Sequence, residues 1–287
     1  MRARGVAAIL VVLALVGLGG YLLREFVGHR LALPVVPASC EITSANNDLV
    51  RLDGEQTANA ATIAAVAHGR ALPDQAIVIA LATSLQEAKL RNLDHLGRHN
   101  DHDSLGIFQQ RPSQGWGSAE QILDQRHAAE SFYAALVQVR GWQKMRVTEA
   151  AQQVQRSAHP EAYEKWADEA RVLTQALIGK QGAAVMCTAT PPRDKTGPAA
   201  AEAAAAELRQ DFGPKAPMVV TEDQTLLVEV ADRQTGWQVA HWLVAHSVLT
   251  GVTKVAYADK QWSADHGTWS ASDKVNDELR AEVPPAR

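Results

Sequence analysis

Two cysteines stand among 287 residues, aromatic residues make up 5%, and Lys+Arg 28 do not outnumber Asp+Glu 32. So few cysteines exclude a disulfide-dense scaffold. A formal net charge of −4 removes the basic footprint of a nucleic-acid binder, so no nucleic-acid partner is expected. Glycine (19) and proline (12) are too sparse for a collagen-like or low-complexity chain. What is present is 46% hydrophobic residues, enough for a core of some size, in a length that suits one large domain or two ordinary ones. There are no internal repeats.

Long uncharged apolar runs are also missing, with one exception. Val6 to Leu23 reads VAAILVVLALVGLGGYLL. A helix of that size spans roughly 27–30 Å, about one hydrocarbon core. Arg2 and Arg4 precede it and Arg24, Glu25 and Arg30 follow, a bias that places the N-terminus inside and the remainder outside. Tyr21 falls at the outer edge. A cleaved signal peptide is the alternative, but charges follow the run directly and no Ala-x-Ala site appears. A lipoprotein box at Pro37-Ala38-Ser39-Cys40 is a further alternative, though it lies well beyond the run. The expectation is a single-pass membrane protein: residues 1–28 a cytoplasmic stub and transmembrane helix, with residues 6–23 contacting the membrane, and the bulk extracytoplasmic. Cys40 and Cys187 are isolated and show no metal-ligand spacing. In an oxidising compartment they predict one disulfide, contributing up to about 5 kcal/mol by closing a long loop; two buried free thiols are the alternative.

Between the cysteines the patterns are helical. Pro73 opens a run in which Ile77, Ala80, Leu81, Ser84, Leu85 and Ala88 recur at helical spacing. Ser118 and Gln121 form a capping-box pattern before Phe132, Leu136 and Val139. Thr148 to Ser157 reads as a helix, and Pro160 starts another that Gly179 stops. Residues 29–187 are therefore expected to be a mainly α domain. Thr188 to Pro198, TATPPRDKTGP, reads as a linker. Beyond it, Ala199–Gln210 and Gln238–Val248 read as helices, and Val219-Val220, Leu226–Val230 and Val252–Tyr257 as strands. Residues 199–287 are thus expected to form a small α+β domain.

Glu87 closes the strongly apolar helix and shares a face with Ile77, Ala80 and Ser84, small enough to line a cleft. An apolar wall disfavours the charged form of a carboxyl group, the property a general acid for glycosidic cleavage needs. A solvated Glu at a helix end is the plain alternative. Asp103-Ser104-Leu105-Gly106-Ile107-Phe108-Gln109-Gln110-Arg111-Pro112 follows, combining a glycine turn, apolar anchors, paired amides and a proline. With these residues the chain resembles the lysozyme-like superfamily, in its lytic-transglycosylase and goose-type lysozyme branch. That branch shows a helix ending in Glu-Ser, a variable loop, then Gly-Leu-Met-Gln and a nearby Pro. Glu87-Ala88 and Gly106-Ile107-Phe108-Gln109 stand at those places. The resemblance covers about half of the chain.

The resemblance implies a bacterial cell-wall enzyme with a lysozyme-like helical domain, peptidoglycan glycan strands as partner, and no cofactor. Glu87 would protonate the leaving oxygen of the β-1,4 bond between N-acetylmuramic acid and N-acetylglucosamine. A transglycosylase then uses the sugar's own 6-hydroxyl, whereas a hydrolase wants a second carboxylate, for which Asp103 is the candidate. Gly106, Phe108, Gln109 and Gln110 would shape and bind the sugar, and Trp116 would stack on a pyranose ring. Ala88 stands in place of the usual serine, and the branch's Tyr-Asn-x-Gly motif is replaced by Val154-Gln155-Arg156-Ser157, followed by Tyr163. The residue supporting the acid is therefore Gln155 by position or Tyr163 by proximity. These departures also fit a catalytically inactive glycan-binding or envelope scaffold.

His95, His99 and His102, at spacings of 4 and 3 with Asp94, Asp101 and Asp103 nearby, raise a third reading, a metal-binding envelope protein. Gly97 and Asn100-Asp101 make the segment a loop, where solvated histidines are the plain alternative. In the C-terminal part, Gly236 to His246 and Val252 to Trp262 resemble the end of zinc D,D-peptidase-like envelope domains. Val219 to Ala231 holds no histidine, so no zinc site carries over. The domain reads as a docking module for an envelope protein.

Overall fold

The computed structural model describes residues 38–94 and 103–286, except the side chains of 273–277. The chain first runs out as β1 (Ser39–Thr43) and returns as β2 (Leu49–Asp53), antiparallel. Asp53 then caps α1 (Gly54–Gly69), its carboxylate accepting from the backbone of Gln56 while the Gln56 side chain reaches back. Every residue of α1 from Thr57 to Ala67 is buried. A helix apolar all round belongs in the middle of a protein, and α1 lies there, with the other helices laid against it.

Those helices are α2 (Asp74–Ala88), α3 (Ala119–Leu123), α4 (Gln125–Leu136), α5 (Val147–Gln155) and α6 (Ala167–Leu177). The capping box at Ser118 and Gln121 forms, but Asp124 ends α3 after one turn and caps α4 anew, so the expected run is two helices. Pro160 does not start a helix. Residues 160–163 form a turn, Glu164–Trp166 a 3₁₀ turn, and α6 begins at Ala167.

β3 (Val185–Thr188) returns beside β1, giving the order β2-β1-β3. The register sets Cys40 directly opposite Cys187, and the two form a disulfide. The rest of the chain supplies α7 (Gly197–Phe212), β4 (Val219–Glu222), β5 (Thr225–Val228), α8 (Arg233–Ala245), α9 (Ser247–Thr250), β6 (Lys254–Ser263) and β7 (Trp269–Glu282). A second sheet runs β4-β5-β7-β6, antiparallel throughout.

The expected fold class, a transmembrane helix followed by a mainly α domain and a separate small α+β domain, needs correction. The described residues form a mixed α/β structure with two sheets and one continuous hydrophobic core. α7 and α8 pack on α1, and α8 also packs on α6 and β3. The stretch read as a linker is pinned as well: Ala189 N–H donates to Ala264 O at 3.0 Å and Gly197 N–H to Pro284 O at 2.7 Å. Among the described residues no helix is long and apolar enough to cross a membrane, and the apolar run from Val6 to Leu23 lies outside them.

A buried polar cluster joins the early helices to the late ones. Asp211, at the end of α7, is 2% exposed. Its Oδ2 accepts from Thr62 Oγ1 (2.7 Å) and Trp242 Nε1 (2.8 Å), and its Oδ1 from Arg126 Nη1 (3.1 Å). His246 Nε2 lies 3.1 Å from Thr62 Oγ1, and its ring stacks on Trp242. His241, fully buried, spans Ala176 O (2.8 Å) and the Ala184 N–H (3.0 Å). Neutral imidazole alone can donate at one nitrogen and accept at the other, and burial holds its pKa down to about 4. Both histidines are thus structural, and among the described residues no cluster of three metal-ligating side chains occurs.

Candidate active site

The site forms where the C-terminal end of α2 meets the Gly106 turn. Leu105 and Gln110 exchange backbone hydrogen bonds at 2.8 and 2.9 Å, closing a tight hairpin over Gly106–Gln109. Gly106 has φ +74°, and a Cβ there would stand 2.6 Å from Ile122 O, so both conformation and space demand glycine. Ile107 and Phe108 plug the turn into the core, and Phe108 stacks on Phe132 with centroids 4.6 Å apart. Ser84 donates to Ile107 O at 2.9 Å, tying the turn to α2.

Ile77, Ala80 and Ser84 fill core rather than line a cleft. Only the last turn of α2, with half-buried Gln86 and Glu87, reaches the opening, because Lys89 in the left-handed region ends the helix there. The cleft that Glu87 faces holds about 370 Å³ and is polar, with Ser104, Gln109, Gln110, Arg111 and Gln155 among its walls. Among the described residues Glu87 is the one carboxylate lining it.

Tyr163 donates its phenol to Glu87 Oε1 at 2.6 Å. It is fully buried, and burial first, then the Glu87 carboxylate, drives its pKa well above the usual phenol value. The phenol therefore keeps its proton and stays a donor. The neighbouring 3₁₀ turn fixes it: Trp166 Nε1 donates to Gln86 Oε1 at 2.9 Å, Lys89 Nζ sits 4.0 Å above the Trp166 ring, and Glu164 accepts from the Thr148 N–H at 3.1 Å. Of the two candidates for supporting Glu87, Tyr163 reaches it. Gln155 instead donates to Phe108 O at 2.8 Å, bracing the turn from the far side.

The two glutamines of the turn each leave one oxygen unused. Gln109, at φ +50°, donates to Gly106 O at 3.0 Å, and Gln110, 2% exposed, donates to Ala128 O at 3.1 Å. Both Oε1 atoms are buried without a partner. A buried acceptor left without a partner costs about 1–3 kcal/mol.

Trp116 is half-buried and lines both this cleft and a larger adjoining recess of about 940 Å³. Gln114, Gln155 and Arg156 also border both, so the two are one groove. Asp103 does not line it. It is exposed, and both its oxygens accept from Ser113 at 2.8 Å, which holds its pKa low. His95, His99 and His102 lie outside the described residues. Arg111, Arg156 and His159 also stand in the cleft wall; no sequence motif singles them out, although Arg111 follows Gln110 and Arg156 follows Gln155 directly. No protein-family model matches the chain, and no curated protein matches it.

Proposed function

We propose that the protein cleaves murein outside the cytoplasm, breaking the β-1,4 bond between N-acetylmuramic acid and N-acetylglucosamine by the transglycosylase route. The observation that carries this reading is the 2.6 Å hydrogen bond from Tyr163 to Glu87 at the mouth of a polar groove. The phenol commits Oε1 as an acceptor, so a proton on Glu87 resides on Oε2, the oxygen left for substrate. That proton passes to the glycosidic oxygen as the C–O bond breaks. On this route the sugar's own 6-hydroxyl is the nucleophile; it attacks C1 and returns its proton to Glu87, leaving an anhydro end. Gln109 and Gln110 place amide residues on the cleft wall that suit acetamido or hydroxyl groups, and Trp116 offers an apolar face for a ring. The disulfide supports an oxidising compartment.

Murein digestion by the purified full chain tests the reading. Soluble muropeptides are expected from the wild type, with a fall of at least about 100-fold for Glu87→Gln. Binding to murein with no release by the wild type would support a glycan-binding scaffold instead.

A further inference from the structure

The groove differs from the rest of the chain in charge. The protein carries a formal net charge of −4, yet among the described residues the joined recesses are lined by three arginines, Arg111, Arg140 and Arg156, against one carboxylate, that of Glu87. Arg111 is oriented by Ser104, its Nε donating to Ser104 Oγ at 3.1 Å, and its terminal fork has no hydrogen-bond partner among the described residues; the charge of Asp103 lies nearby, but both oxygens of that carboxylate accept from Ser113. Arg140 and Arg156 have no side-chain hydrogen bond or ion pair among the described residues. Arg156 is held at φ +51° where α5 ends, immediately after Gln155. Neutral sugars are met by amides and an aromatic face, which Gln109, Gln110 and Trp116 already supply. Guanidinium forks with no hydrogen-bond partner among the described residues match something else, a carboxylate bound through two parallel N–H···O bonds.

We infer that the groove selects an anionic glycan, one whose sugars bear free carboxylates, and that Arg111, Arg140 and Arg156 read those groups. This rests on the reading of the groove as a glycan site. In murein, the lactyl group of N-acetylmuramic acid is a neutral amide where a stem peptide is attached and a free carboxylate where the peptide has been removed. Peptide-free strands are then the preferred substrate.

The test compares two probes on the wild-type full chain at low salt: peptide-free murein strands, and the same strands with their lactyl carboxylates converted to methylamides. At least tenfold tighter binding of the carboxylate form is expected, a preference that weakens as salt rises. The triple variant Arg111→Gln, Arg140→Gln, Arg156→Gln should bind both forms alike. Equal affinity of the wild type for the two strands overturns the inference while leaving the glycan reading standing. Failure of both strands to bind overturns the glycan reading itself.

Discussion

Two carboxylates in this protein are built in opposite ways. Asp211 is buried, and both of its oxygens are occupied by Thr62, Trp242 and Arg126. Glu87 is half-buried at a groove and has one hydrogen-bond partner among the described residues, Tyr163. A saturated carboxylate deep in a core fastens elements together; here it joins α1 and α4 to α7 and α8. A carboxylate with one oxygen fixed and the other facing a cavity is held in orientation and left available. Burial and partner count separate structure from chemistry better than residue type does.

The comparison is broken most sharply by truncating the saturated member. Asp211→Ala leaves Thr62 and Trp242 without their acceptor inside the core and frees Arg126 from one of its anions, so a loss of about 3–5 kcal/mol in denaturant unfolding is expected. Glu87→Gln, by contrast, should move the same midpoint by no more than about 1 kcal/mol. A comparable loss at both sites would show that the two carboxylates do the same work.

Acid should act on the late half of the molecule first. His241 takes a proton in the unfolded chain near its ordinary 6.5 but in the fold only near 4. Between those values the unfolded state binds more protons, so stability is full above pH 6.5 and falls as pH drops toward 4, by about 3 kcal/mol from this group. His246, its pKa lowered by burial against the opposing pull of Asp211, adds in the same direction. Unfolding free energies measured at steps from pH 7 to 4 check this, and His241→Gln should flatten the slope.

Tyr163→Phe sharpens the other side. Removing the phenol oxygen frees Glu87 Oε1 without emptying the core, so about a tenfold loss in murein-cleavage rate is expected with stability changed by about 1 kcal/mol or less. A large stability loss with unchanged rate would make Tyr163 a core residue only.

Much of the helical scaffold is legible from the chain. The Ser118/Gln121 capping box and the run after Pro73 announce their elements locally. β1 and β3 do not, since strands of five and four residues pair across a sequence separation of 147 between Cys40 and Cys187. α1 escapes because burial on every side erases the amphipathic period. That sheet and that central helix account for the error in fold class. In the site, the Gly106 turn and Glu87 stand out as residue patterns, whereas choosing Tyr163 over Gln155 required the turn at 164–166, which Trp166 and Gln86 settle through space.

Mass spectrometry of the products released from murein tests the central claim most directly, comparing the wild-type chain with Glu87→Gln. Muropeptides ending in anhydro-N-acetylmuramic acid from the wild type, absent from the variant, are expected. Reducing ends, or anhydro products that persist when Glu87 is replaced, would contradict it.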